Sequence, residues 1–272
     1  MITYKALSFS IKERLEKDKI MSHPISENSL TSLTMERALA GEQKGQYVAH
    51  MFSRIATRYD LLNRLMSLGQ DQSWRRQMAE LALLPPNAQV LDLATGTGDV
   101  ALAVLERHPE AQVIGADFAL PMMQIGQKKI HSGMGLYFVD ADALRLPFAS
   151  GEFDGVLHAF LMRNIADIPA GWKEQWRVLK PGGRLVCLEI VGPESPLIRA
   201  GYRLFFETLI PKVGQLISGD AQAYTYLPQS VLRFPAPKTL SQLMRESGFV
   251  HVDYQRLMLG SIAIHVAQKP MS

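Results

Sequence analysis

The chain has 272 residues, 47% of them hydrophobic and 20% charged, with a net charge of +3 and one cysteine. Such proportions suit a globular protein whose core needs neither a disulfide nor a metal to staple it. They exclude a nucleic-acid partner, because Lys and Arg are scattered and no basic stripe interleaves with aromatic residues. The most apolar long stretch, 196–218, carries Arg199, Arg203, Glu207 and Lys212, which argues against a membrane span.

Residues 1–45 read as a flexible tail, turn-rich over 22–33. The first twenty lack the apolar core of an export signal, and Cys187 sits in an apolar run, so a cytoplasmic location is expected. From 46 to 84 the pattern is helical, with Phe52, Ile55, Tyr59 and Leu62 on one face and Pro85-Pro86 as the stop. Strands and helices then alternate. Strands are expected at 90–94, 112–117, 135–140, 153–159 and 184–190, and helices at 100–107, 122–130 and 170–179. This rhythm predicts an α/β fold with a parallel sheet covered by helices on both faces. It breaks at 192–235, a helical stretch expected to form a lid over a single domain spanning 46–272. A helix at 240–247 follows, then two strands, 250–257 and 261–268. Their short link, Met258-Leu259-Gly260, suits an antiparallel pair.

The first strand carries Asp92 and runs into a turn at Gly96-Thr97-Gly98, followed at once by Asp99 and a helix. Glycines let a ligand approach the backbone, and the helix N-terminus offers free amides. The loop alone also fits a dinucleotide, so an NAD-dependent enzyme stays open at this point. Acids on both sides of the turn would repel a pyrophosphate but welcome the sulfonium and ammonium of S-adenosylmethionine. Asp117, closing the second strand, is placed for ribose hydroxyls. Asp142-Ala143, after the third, is placed for adenine. His265 is either a proton acceptor or a buried core residue.

The motifs Leu91–Asp99, Leu146-Pro147-Phe148 and Arg177–Arg184 resemble those of class I S-adenosylmethionine-dependent methyltransferases. Tyr59–Asn63, Ser67-Leu68-Gly69, Trp74-Arg75, Arg163-Asn164, Asp220 with Tyr224–Leu227, and Phe234-Pro235 are similar to the ubiquinone/menaquinone biosynthesis C-methyltransferase family. The likeness runs from about Phe52 to Lys269. It implies a Rossmann-like, seven-stranded, mostly parallel sheet with the last strand antiparallel. It also implies C-methylation of a prenylated quinol ring, without a metal. By position, Gly96, Thr97, Gly98, Asp117, Asp142 and Ala143 would contact the cofactor together with Asp92. Ala159 stands where the family often has Ser. Leu161-Met162 and Val191-Gly192-Pro193 depart from the family pattern near the expected substrate mouth.

A ring carbon attacks a methyl sulfonium only once a neighbouring hydroxyl loses its proton. Arg163 is the expected cation beside the phenolate, since free Arg is a poor base. Asn164, Tyr59 and Asn63 are expected to orient the hydroxyls or a water. The apolar run 197–217 could line a tunnel for an isoprenoid tail or touch a bilayer weakly. A homodimer is compatible with all of this. Two rival readings are a methyltransferase for another small aromatic or lipid, and a cofactor-binding scaffold of a biosynthetic complex.

Overall fold

The computed structural model describes residues 43–195, 198, 201, 202, 208 and 221–272. Two helices come first, α1 (Gln43–Met66) and α2 (Asp71–Leu81). Then follow β1 (Gln89–Leu93), α3 (Asp99–Arg107), β2 (Gln112–Asp117), α4 (Leu120–Gln127), β3 (Leu136–Asp140) and β4 (Phe153–Ala159). The remainder is α5 (Ile168–Val178), β5 (Leu179–Ile190), α6 (Ala221–Leu232), α7 (Pro237–Glu246), β6 (Val250–Leu257), a 3-10 turn (Met258–Gly260) and β7 (Ile262–Gln268). The flexible tail and most of the expected lid fall outside the described residues. Of that lid, 221–232 is helical despite Pro228.

The strands form one seven-stranded sheet in the order β3-β2-β1-β4-β5-β7-β6. Neighbours from β3 to β5 pair in parallel, and β7 is antiparallel to both β5 and β6, as expected. Alternation along each strand divides the core in two. Val90, Val113, Leu157 and Val186 pack with Trp74, Met78, Val100 and Val104 from α2 and α3. Leu91, Ile114, Val156 and Leu185 face Trp172 of α5 and Met244 of α7 on the other side. Each such buried side chain contributes roughly 1.5–3 kcal/mol.

One strand starts earlier than its pattern suggests. The expected start was Arg184, but Leu179 already pairs with Phe153 before the ladder shifts and resumes at Gly155↔Arg184. The intervening Pro181-Gly182-Gly183 is a bulge rather than a helix stop. Its Gly182 N–H is held by the Lys269 carbonyl at 3.0 Å, tying it to the end of β7.

Strand order reverses between β1 and β4, where ligands of open α/β sheets bind at the carboxyl ends. The turns after β1 and β4 both open there. α1 lies over this crevice. Its Ala56 packs on Ala119 and Met122, and its Val48, Met51, Ile55 and Leu62 pack on Tyr226 of α6. Among the described residues no helix is long and apolar enough to cross a membrane.

Candidate active site

Two clefts meet beneath α1. The smaller, about 420 Å³ with its solvent-open mouth counted, includes Gly96, Asp117, Ala119, Met122, Ala159 and Asn164 in its lining. The turn beside it depends on left-handed backbone: Gly98 has φ 82°, a conformation that L side chains rarely adopt. Asp117 reaches the turn from β2. Its Oδ2 accepts the Gly96 N–H and its Oδ1 the Ala119 N–H, both at 2.8 Å. Each oxygen keeps a second lone pair, the arrangement needed to accept from two vicinal hydroxyls. Burial pushes this carboxyl above its ordinary pKa despite those bonds.

The expected ring of free acids is resolved differently. Asp92 is fully buried; its Oδ2 accepts from Thr95 Oγ1 at 2.6 Å and Ala101 N at 3.0 Å. It braces the turn from behind, and burial raises its pKa to about 7. Asp99 is neutralised by Lys129 at 2.7 Å, with Arg75 3.8 Å away. Neither acid is among the residues lining the cleft, which leaves Asp117 as the carboxylate there. Thr97 is also spent within the protein, donating to Asp60 Oδ1 at 2.6 Å. Asp142 and Ala143 lie beyond the lining at the end of β3. Asp142 Oδ1 accepts from Leu144 N at 2.9 Å, and Ala143 is buried in the core.

The larger cleft, about 830 Å³ with its solvent-open mouth counted, is mostly apolar. Met51, Ile55, Tyr59, Leu62 and Met66 of α1 line it at steps of three and four residues, opposite Trp74, Ile190, Tyr226 and Ile262. Polar groups enter its wall as Asn63, Ser67, Asp71, Arg163 and Ser261. Phe52, Tyr59 and Phe160 line both clefts. Phe52 and Tyr59 meet edge to face, 5.7 Å between centroids. Burial raises the Tyr59 phenol above its usual pKa. Asn63 keeps a buried Nδ2 without a partner. Asp71 accepts from Ser67 Oγ at 2.9 Å and pairs with Arg75 one turn along α2.

The turn after β4 carries the arginine–asparagine pair. Phe160 stands at φ 63°, a strained conformation for so large a residue. Its carbonyl accepts from Arg163 Nη1 at 2.7 Å and from Asn164 Nδ2 at 2.8 Å. Asn164 Oδ1 accepts from Tyr226 OH at 3.0 Å. The structure thus brings Arg163, Asn164, Tyr59 and Asn63 to the walls of the two clefts. His265 is elsewhere: fully buried, stacked on Tyr254, its Nε2 3.1 Å from the Pro237 carbonyl. Of its two readings, the core residue stands. The side chains of Asp220 and Tyr224 lie outside the described residues.

Sequence reasoning missed two acids. Asp60 bonds Thr97 and also Lys129, at 2.7 Å, so it fastens α1 to the glycine turn. Glu189 lies 3.6 Å from Arg163. Its signal was legible, as a lone charge in the apolar run Leu185–Ile190.

Residues 40–269 match the model of the ubiE/COQ5 methyltransferase family. A demethylmenaquinone methyltransferase of Deinococcus radiodurans is 48% identical over 229 residues, covering 84% of this chain and 95% of that protein. One from Thermus thermophilus is 51% identical over 221 residues, covering 81% and 100%. Among solved structures, the [4+2]-cyclase SpnF superposes with a TM-score of 0.62 at 18% identity, covering 84% of this chain and 97% of that one. A SAM-dependent methyltransferase from Thermotoga maritima gives 0.57 at 22%, covering 81% and 98%. These two likenesses speak to the fold alone. The family match and the identity with both relatives show that this chain belongs to the ubiE/COQ5 methyltransferase family.

Proposed function

We propose that this protein transfers the methyl group of S-adenosylmethionine to a ring carbon of a prenylated quinol of the demethylmenaquinol type. The observation that carries this reading is the pair of clefts sharing Phe52, Tyr59 and Phe160. One offers a carboxylate with lone pairs to spare, and the other is apolar with an arginine in its wall. That arrangement fits a water-soluble donor beside an oily acceptor. When bound, the donor supplies an electrophilic methyl carbon; the protein's task is to aim a nucleophile at it and exclude water.

Asp117 accepts both ribose hydroxyls, and Gly96, Thr97 and Gly98 bring backbone close to the amino-acid end. Asp92 keeps that turn in shape. Asp142 and Ala143 take the adenine edge, and Ala159 forms part of the floor. In the larger cleft Arg163 stabilises the quinolate oxygen. Asn164 shapes the turn that presents it, while Tyr59 and Asn63 orient the ring hydroxyls. The apolar wall of α1 receives the isoprenoid tail.

Contact with the membrane face is weak and peripheral in this reading. Leu61 and Leu65 stand exposed one turn apart on α1, and Leu68 stands exposed in the turn that follows it, which supports it. The protein works at the cytoplasmic face.

Incubation with labelled S-adenosylmethionine and a demethylated menaquinol should label the ring carbon. Arg163→Ala should keep donor affinity in calorimetry yet lose about 10²–10⁴-fold in turnover. No labelled quinol, or full turnover by the variant, would sink the assignment.

A further inference from the structure

Glu189 sits in the interior of β5, fully buried, with Ala263 of β7 opposite it. A buried carboxylate is costly unless its oxygens are satisfied. Here Oε1 accepts from Met162 N at 2.5 Å, while Oε2 has no hydrogen-bond partner and lies 3.6 Å from Arg163 Nη1. The buried Arg163 Nε is likewise without a partner. So the acid grips the backbone of the turn that carries Arg163 with one oxygen and faces the guanidinium with the other. The turn itself is held by the Phe160 carbonyl, at a strained φ.

The ligand atoms of Glu189, His158 and Cys187 lie within 4.8 Å of one another. A divalent cation among them would stand beside the Arg163 charge and be repelled by it. The ion pair gives Oε2 a facing charge, Arg163 Nη1 at 3.6 Å, without that conflict.

We propose that Glu189 is the positioning residue of the reaction, holding Arg163 against the wall of the larger cleft without touching the quinol itself. The proposal rests on the methyl-transfer reading for its effect on rate, and on geometry alone for the pairing. Other described groups acting on Glu189 or close to it are Lys44 on α1, His158 on β4, Cys187 on β5 and Tyr226 on α6. Burial outweighs the attraction of Arg163 and raises the Glu189 carboxyl to about 7. Above that pH the carboxylate holds the guanidinium by charge; below it, the hold is lost while the Met162 bond remains.

The test combines Glu189→Gln and Glu189→Asp with two readouts. In kinetics at saturating quinol, Glu189→Gln should lose about 10²-fold in kcat, the scale of a misplaced group. KM and donor affinity should stay within about threefold of the wild type. The wild-type kcat should rise with an inflection near pH 7, kept by Glu189→Asp and absent from Glu189→Gln. In ¹⁵N spectra, the Arg163 Nε–H resonance should titrate with the same midpoint in the wild type and not in Glu189→Gln. That second readout needs no turnover, and the wild type alone supplies it if the Gln variant does not fold. An Arg163 resonance flat across the whole range in which the protein stays folded, or identical in the wild type and a folded Glu189→Gln, would overturn the pairing. Wild-type kcat in Glu189→Gln, or donor affinity lost in step with rate, would overturn the positioning role. An inactive wild type with a titrating Arg163 would instead strike the functional reading and leave the pairing standing.

Discussion

Replacing Asp117 by Asn is the sharpest probe of the proposed donor site, because the geometry predicts how much is lost. Each carboxylate oxygen already accepts one backbone N–H at 2.8 Å and has one lone pair left. Two ribose hydroxyls would use those two. Asn retains one acceptor oxygen and turns an NH₂ toward either Gly96 N–H or Ala119 N–H, so one hydroxyl loses its partner. A hydrogen bond to a charged group is worth about 1.5–3 kcal/mol. At 1.4 kcal/mol per tenfold, the dissociation constant should rise about 10- to 150-fold. Titration calorimetry with S-adenosylhomocysteine on wild type and variant measures it, with circular dichroism as a check on folding. A folded variant whose affinity stays within twofold would refute the ribose assignment of Asp117.

Two further expectations concern stability. His158 is fully buried; neither ring nitrogen makes a hydrogen bond of good geometry, although the Gln175 amide lies beside it, and burial lowers its pKa from 6.5 to about 3. The folded state therefore refuses a proton that the unfolded chain accepts, so stability held above pH 6.5 is lost as pH falls toward 3. The loss from this group is about 2 kcal/mol by pH 5. His158→Leu should raise Tm at pH 7 by the equivalent of about 1–3 kcal/mol and flatten the acid limb; calorimetry showing no gain would refute this. Asp92 acts in the opposite sense: its raised pKa, about 7, gives stability at low pH that is lost as pH rises through that value. Gly126→Ala should destabilise despite a helix-propensity gain of about 1 kcal/mol. An added Cβ would lie 2.6 Å from the Phe138 ring and 3.0 Å from the Thr97 carbonyl. Thermal melts should show a net loss of about 1–2 kcal/mol, and an unchanged Tm would contradict the close packing.

Periodicity and turn residues made the sheet legible. The alternation of strands with helices, and the three-residue link Met258–Gly260, led to the parallel order and the antiparallel end. Strand bounds missed by more than one residue only at Leu179, where a pairing across a bulge cannot be read from local composition. The site was legible as residue types and less so as charge. Asp92 and Asp99 looked alike beside the glycines, yet one is spent on Thr95 and the other on Lys129, 30 residues along the chain. Long-range partners of that kind leave no local trace. Phe160 is a different case: its φ of 63° is not legible in its own residue type, although the side chains its carbonyl bonds, Arg163 and Asn164, are only three and four residues away.

Phe52, Tyr59 and Phe160 form a screen of aromatic rings common to both chambers. A screen made of side chains swings by torsion alone, at about 0.5–1.5 kcal/mol for each ring pushed off its preferred angle. The rest of the framework can stay rigid while a one-carbon passage opens and shuts behind the transferred group. A bulk-water route through the same gap would demand several rings turning aside together, which in the proposed reading would keep a reactive sulfonium dry until its oily partner has arrived.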